Sequence, residues 1–292
     1  MRPAAALAVT IGTIAVIGAG AIPRARAQDA SAWDTELHAA TRLIAGAAVR
    51  SADAAWLRAG IEIRLDPGWK TYWRYPGDSG VPPTLDFAGS ANVKSVTALW
   101  PAPERFADGA GGHSIGYRGD TVLPLRIVAD DATKPSALHL KVVFAICSTL
   151  CVPAEANLAL VLSGKVGVEE ATLLAAEARV PRRVPLGADS AGDGGLAVRS
   201  VHRESVGGHQ RVVVEVAAPE GAPVDLFVEG PTSDWALPLP EPSRPVPTSA
   251  PAMREFTFNL EGEPPGAQVD GAIFTFTAVS PAGAIEVKTR LD

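Results

Sequence analysis

Cysteine is nearly absent from this 292-residue chain: there are two, Cys147 and Cys151. A small secreted scaffold held by several disulfides is therefore excluded. Histidine is scarce too, with five residues scattered along the chain, and the usual four-ligand set for zinc does not assemble. Basic residues are outnumbered, 26 Lys and Arg against 32 Asp and Glu, for a formal charge of −6. That balance argues against nucleic acid and anionic membrane surfaces, which require a basic patch. Beyond residue 22 no apolar run is long enough to span a bilayer. What the chain has in quantity is 25 prolines and 28 glycines, with few helical periods between them. Such punctuation favours β-structure with many turns.

The first 27 residues read as an address. Arg2 gives a positive start, Ala4 to Ile22 is apolar, and Ala25-Arg26-Ala27 offers a small-x-small cleavage site. The expectation is a secretory signal peptide cut near Ala27, and hence a periplasmic protein without stable membrane insertion. Loss of Arg2, Arg24 and Arg26 leaves 23 basic against 32 acidic residues, a formal −9.

Period-2 alternation marks strands at Gly60 to Leu65, Asn92 to Trp100, Thr121 to Ala129, Ala137 to Ile146 and Ala156 to Leu162. Together they predict an antiparallel sandwich of immunoglobulin-like size over residues 33–165. Val168 to Arg179 reads as a helix, acidic in its first turn and stopped by Pro181. With the Pro- and Gly-rich stretch after it, residues 166–196 form a helix and linker. Strand patterning resumes at Leu196 to Val201, Arg211 to Ala217, Val224 to Glu229, Glu255 to Leu260, Ala272 to Val279 and Ala284 to Leu291. A second sandwich is expected over residues 197–292. Pro231 to Pro251, with seven prolines and Trp235, reads as a stiff surface excursion from it.

The fold class is thus all-β: two antiparallel sandwiches joined by a short helix and linker. Its one chemically distinctive feature is the cysteine pair. Lys141 to Ile146 runs as a strand into Cys147, Ser148-Thr149-Leu150 turns, and Cys151-Val152-Pro153 leads away. A disulfide across this hairpin closes a ring of about five residues, worth only ~2 kcal/mol on the chain-entropy argument. A staple chosen for stability would usually link distant strands, and strain in a tight loop makes a disulfide easier to reduce. Two other readings stay open: a structural disulfide in a non-enzymatic binding module, or two thiolates that hold Cu(I). A cysteine hydrolase would need a base such as His113 or His139, and no signature supports one. No basic residue flanks Cys147, so the sequence gives no reason for a lowered thiol pKa.

Four segments then occur in order: Gly68-Trp-Lys-Thr-Tyr-Trp-Arg-Tyr-Pro76, Trp100-Pro-Ala-Pro-Glu-Arg-Phe106, Ser114-Ile-Gly-Tyr117 and Cys147-Ser-Thr-Leu-Cys-Val-Pro153. They resemble the N-terminal periplasmic domain of the DsbD thiol:disulfide interchange family. The two-sandwich layout and the cysteine spacing are similar to the exported region of ScsB-type proteins, associated with copper tolerance. The resemblance implies an immunoglobulin-like fold and a redox-active pair, Cys147 and Cys151. It implies that this pair is reduced by a membrane-embedded thiol reductase domain and passes electrons to periplasmic thioredoxin-like proteins. It places Phe106 on a cap over the cysteines, with Glu104 for the acidic residues before it, and Tyr72 as a lining aromatic. An oxidoreductase-type interchange activity is expected, with neither cofactor nor metal, and with the electron donor a separate protein.

Overall fold

The computed structural model describes residues 29–51, 54–108, 111–188, 195–241, 244–245 and 252–291. The expected signal peptide, residues 1–27, lies outside them. In chain order the elements are β1 (Asp34–Glu36), β2 (Ala39–Arg50), β3 (Ala55–Leu65), β4 (Lys70–Gly77), β5 (Thr84–Asp86), β6 (Ser95–Ala98), β7 (Glu104–Ala107), β8 (His113–Arg118), β9 (Thr121–Val128), β10 (Ser136–Cys147) and β11 (Cys151–Leu162). Helix α1 (Glu170–Ala178) follows. Then come β12 (Arg182–Arg183), β13 (Ala197–Val206), β14 (His209–Ala218), β15 (Asp225–Glu229), β16 (Arg244–Pro245), β17 (Ala252–Asn259), β18 (Ile273–Ser280) and β19 (Gly283–Arg290). The all-β expectation holds. No helix among the described residues is long and apolar enough to cross a membrane.

The first sandwich faces the sheet β1-β2-β3-β9-β6 against the sheet β11-β10-β4-β8-β7, to which β5 adds through β10. Alternation sends Leu43, Ile61, Ile63, Leu125 and Ile127 inward from one side. Trp73, Ile115, Leu140, Phe144 and Ile146 meet them from the other. Strands β1, β2, β4, β5, β7 and β8 are not signalled by alternation. In β2 a bulge between Ala45 and Ala48 breaks the period, and small residues dilute the apolar pattern.

That bulge docks the helix. An added Cβ at Gly46 or Gly60 would lie 2.8 or 2.7 Å from Leu173, so both glycines leave the space that Leu173 fills. Glu170 accepts the Ala47 N–H at 2.7 Å and pairs with Arg58, which also reaches Glu177 at 2.9 Å. Arg42 bonds Glu169 at 2.9 Å. The charges that fasten α1 are therefore largely removed from water.

The second sandwich faces β12-β19-β18-β15 against β13-β14-β17-β16. Phe256, Phe258, Phe274 and Phe276 form its centre. Two expectations need correction. Arg182–Arg183, inside the stretch read as linker, adds a parallel edge strand to β19. The Pro-rich segment is no surface excursion where it is described. Trp235 and Leu237 are buried in the second core, because large apolar side chains there gain more from burial than the prolines cost in pairing. Arg244–Pro245 pairs with β17, and residues 242–243 and 246–251 lie outside the described residues.

Strand β15 joins the halves by its two-residue period. Leu226 and Val228 enter the second core, while Phe227 is buried in the first. Its neighbours on the Phe227 face are charged and paired across the junction. Asp225 binds Arg105 at 2.7 Å, and Glu229 binds Arg74 at 2.6 Å. Glu286 also binds Arg74, at 2.7 Å, and Tyr75 Oη donates to Leu237 O at 2.6 Å.

Candidate functional site

Strands β10 and β11 pair residue for residue from Ser136 opposite Leu162 to Cys147 opposite Cys151. The turn Ser148-Thr149-Leu150 is closed by Ser148 N–H donating to Leu150 O at 3.2 Å. Register thus sets the cysteines face to face, 4.1 Å apart at Cα, and they form a disulfide. The bridge is asymmetric. Cys147 is 1% exposed, whereas Cys151 is exposed and follows Leu150, which is 69% exposed.

Sheet register shows which side chains share the disulfide's face. Cys147 is opposite Lys70 on β4, and Lys70 is opposite Arg118 on β8. One row on, Tyr72 is opposite Gly116, and Gly116 is opposite Glu104 on β7. In the next row Ser114 is opposite Phe106. Since directly paired residues point the same way, all of these lie on the outer face, away from the Trp73 and Ile115 core.

Tyr72 Oη lies 2.8 Å from Cys147 Sγ and 3.2 Å from Cys151 Sγ. Its pKa is raised above the ordinary phenol value, chiefly by burial, with a hydrogen bond to Ser114 working against that and Asp108 adding to it. The hydroxyl therefore keeps its proton and can donate to sulfur. Gly80, at φ +143°, lets the chain cross the ring, since a Cβ there would come within 2.4 Å of it. Ser79 Oγ fastens that crossing by donating to Asp108 Oδ2 at 2.9 Å.

Phe106 is 3% exposed, with Lys70 Nζ 4.7 Å and Arg118 Cζ 4.9 Å from its ring centroid. It sits on a paired strand, not on a free loop. Glu104, at the rim, meets Arg118 at 3.7 Å with both side chains more than half exposed, a contact of little energy. The reading that nothing basic lies near Cys147 fails in three dimensions. Lys70, distant in sequence, is directly opposite Cys147, and Arg118 lies one strand beyond it. Burial first, and then Arg118, lower the Lys70 pKa, with Asp108 opposing.

His139 is on β10 but eight residues from Cys147, about 27 Å at the usual rise. Alternation turns His113 away from the face that carries Ser114 and Phe106. Neither histidine is placed to act on the sulfurs. Among the described residues no cluster of three His, Cys, Asp or Glu is arranged to hold a metal ion.

Residues 41–163 match the family model described as thiol:disulfide interchange protein DsbD, N-terminal. The first sandwich is a DsbD N-terminal-like domain. A solved structure, the N-terminal periplasmic domain of ScsB from Proteus mirabilis, superposes with a TM-score of 0.66 at 20% identity. The match covers 90% of this chain and 98% of that one, so the shared fold extends across both sandwiches. The YadV chaperone overlaps at a TM-score of 0.21 and 15% identity, over 86% of this chain and 99% of that one, too weakly to bear on the fold. No curated protein matches the chain. Together with the Cys147–Cys151 disulfide, this match marks the domain as a thiol–disulfide exchange module in general character.

Proposed function

We propose that this chain is a periplasmic thiol–disulfide exchange protein, exported by its first 27 residues. In this reading Cys147 and Cys151 carry reducing equivalents from a membrane-embedded thiol reductase to periplasmic thioredoxin-like proteins. Residues 33–165 are then the exchange domain, and 197–292 the second domain. The observation that carries the reading is the asymmetric disulfide at a hairpin tip, with residue Cys151 exposed, Cys147 buried, and a phenol within hydrogen-bond reach of both sulfurs.

Cys151, the exposed residue of the pair, is the point of entry. A thiolate of the donor attacks Cys151 Sγ, the S–S bond breaks, and its electron pair leaves on Cys147 Sγ. That sulfur accepts a hydrogen bond from Tyr72 and takes a proton from solvent. The donor's second thiolate then attacks the donor sulfur of the mixed disulfide and releases Cys151. The donor dithiol becomes a disulfide, and the pair gains two electrons and two protons. Delivery to an acceptor is the reverse sequence, with the Cys151 thiolate attacking. Lys70 and Arg118 favour the anion that each step passes through.

A redox titration of the folded protein, read by alkylation and mass, tests the proposal. The expected midpoint lies well above about −300 mV, within reach of biological dithiols. A disulfide that stays closed to that potential would replace exchange with the binding-module reading. Cys147→Ala should accumulate mixed disulfides through Cys151 in the periplasm, and their partners identify donor and acceptor.

A further inference from the structure

A cavity of about 710 Å³ lies where the two sandwiches and helix α1 meet. Thr97 and Arg126 line it from the first sandwich, Glu177 and Pro181 from the end of the helix and just beyond, and Arg183 and Glu286 from the second sandwich. Register explains the placing. Arg126 is directly opposite Thr97 and sits between Leu125 and Ile127, which point into the core, so its side chain takes the outer face. Arg183 is directly opposite Glu286 in the parallel pair β12-β19, and Glu286 in turn reaches Arg74 of the first sandwich.

Arginine dominates the lining: Arg74, Arg126, Arg182 and Arg183 stand against Glu177 and Glu286 alone. Both carboxylates are already engaged. Glu286 accepts from Arg74 at 2.7 Å and from Arg183 at 2.9 Å, while Glu177 accepts at 2.9 Å from Arg58, which does not line the cavity. Two guanidinium groups keep donors to spare. Arg126 lies over the Trp56 ring, 4.9 Å from its centroid, and makes no ion pair among the described residues. Arg183 commits only its Nε, and its side chain is 77% exposed. The two belong to different sandwiches and border one space. Beside them, Leu99, Trp100, Val180 and Pro181 supply an apolar wall.

We propose that this cavity binds a small organic oxyanion, a carboxylate or a phosphate monoester, between the Arg126 and Arg183 guanidinium groups, with its carbon frame against Trp100 and Pro181. A guanidinium meets either oxyanion with two parallel hydrogen bonds and is more weakly hydrated than an ammonium, which suits a half-enclosed site. The volume falls within the ~300–1,000 Å³ usual for small-ligand sites, which favour domain junctions. The chain as a whole carries a formal −6, so it has no general attraction for anions and the pull here is local. A bound anion ties β9 of one sandwich to β12 of the other and so steadies the junction. The proposal is independent of the exchange reading.

Calorimetric titration of the full chain with citrate, glycerol 3-phosphate and inorganic phosphate tests it, with the thermal midpoint recorded alongside. At least one of the two organic acids should bind and raise the midpoint with its concentration. Whichever binds tighter identifies the source, carboxylate or phosphate ester. Arg126→Gln and Arg183→Gln should each weaken binding on the order of tenfold, as loss of a charge-assisted hydrogen bond does. Both side chains are solvent-exposed, so these variants keep the fold. Arg126→Lys keeps the charge without the fork and should weaken binding less. Lys141→Gln removes an exposed charge from the far sheet of the first sandwich and should bind as the parent does. The proposal is overturned if neither organic acid binds, or if inorganic phosphate binds as tightly as they do, the mark of a bare-ion site. It is overturned equally if both arginine variants bind like the parent, or if Lys141→Gln loses as much as they do.

Discussion

The Trp73 and Phe227 rings, which belong to different sandwiches, meet with centroids 6.0 Å apart at an angle of 58°. Both side chains are fully buried, so a strand of the second sandwich sends an aromatic ring into the core of the first. Phe227→Ala should cost about 3–5 kcal/mol, the usual range for a buried phenylalanine. Because the cavity opens at the junction, chemical denaturation should change from one transition to two. A single transition with less than about 1 kcal/mol lost would show that the halves are not coupled through this pair.

Tyr72 is placed to steady whichever sulfur becomes anionic. A hydrogen bond to a charged partner contributes about 1.5–3 kcal/mol, so Tyr72→Phe should slow reduction of the disulfide on the order of tenfold or more. Equal rates for Tyr72→Phe and the parent would remove the phenol from the chemistry.

Helix α1 depends on emptiness beneath Leu173. Gly60→Ala would set a Cβ 2.7 Å from Leu173 Cδ2 and 3.0 Å from Val122 Cγ1, and overpacking of that kind costs about 1–3 kcal/mol. Leu173→Ala should cost about 2–5 kcal/mol for the opposite reason. In the double variant the two losses should partly cancel, since the new methyl occupies the vacated space. Strict additivity in a thermal-unfolding cycle would count against this packing.

The junction should weaken at both ends of the pH scale. Burial foremost, with Asp78 and Glu229, pushes the Tyr75 phenol up to about 12, while its bond to Leu237 O pulls the other way. A raised phenol pKa gives stability that is whole below 10.0 and lost as pH climbs through about 12, because the unfolded chain ionises first. Tyr75→Phe should flatten that alkaline loss. At the acid end burial pushes Glu286 up, but Arg74 and Arg183 outweigh it and hold its carboxyl below 4.5. Stability from that group is whole above 4.5 and falls as pH drops through the lowered value. Urea unfolding across pH, for the parent, Tyr75→Phe and Glu286→Gln, checks both limbs.

Much of this was legible in the sequence because period-2 alternation survives wherever a strand has one wet face, as in β10, β11, β14 and β18. It fails where both faces are dry or where pairing is irregular. Asp225-Leu-Phe-Val-Glu229 reads as one strand, yet nothing in its order reveals that Phe227 serves a different core from Leu226 and Val228. The disulfide was legible from spacing. Its electrostatic setting was not, because register puts Lys70 opposite Cys147 and Arg118 one strand beyond, a relation between distant segments. Tyr72 and Phe106 entered through resemblance alone. Composition could not separate them from core aromatics such as Trp73, two strands' registry being needed to show which face each one takes.

Strand β11 ends the disulfide-bearing sheet, and three of its backbone nitrogens towards the cysteine end are unavailable to a new strand. Pro153 has no N–H to offer, while Glu155 N–H and Asn157 N–H donate to Glu36 and Asp34 at 2.8 and 2.9 Å. A visiting chain cannot therefore graft itself there as another ribbon of the sheet. Whatever docks at the sulfurs must do so through side chains at the hairpin tip, Leu150 foremost. Docking of that kind would suit the brief encounters that the proposed exchange requires.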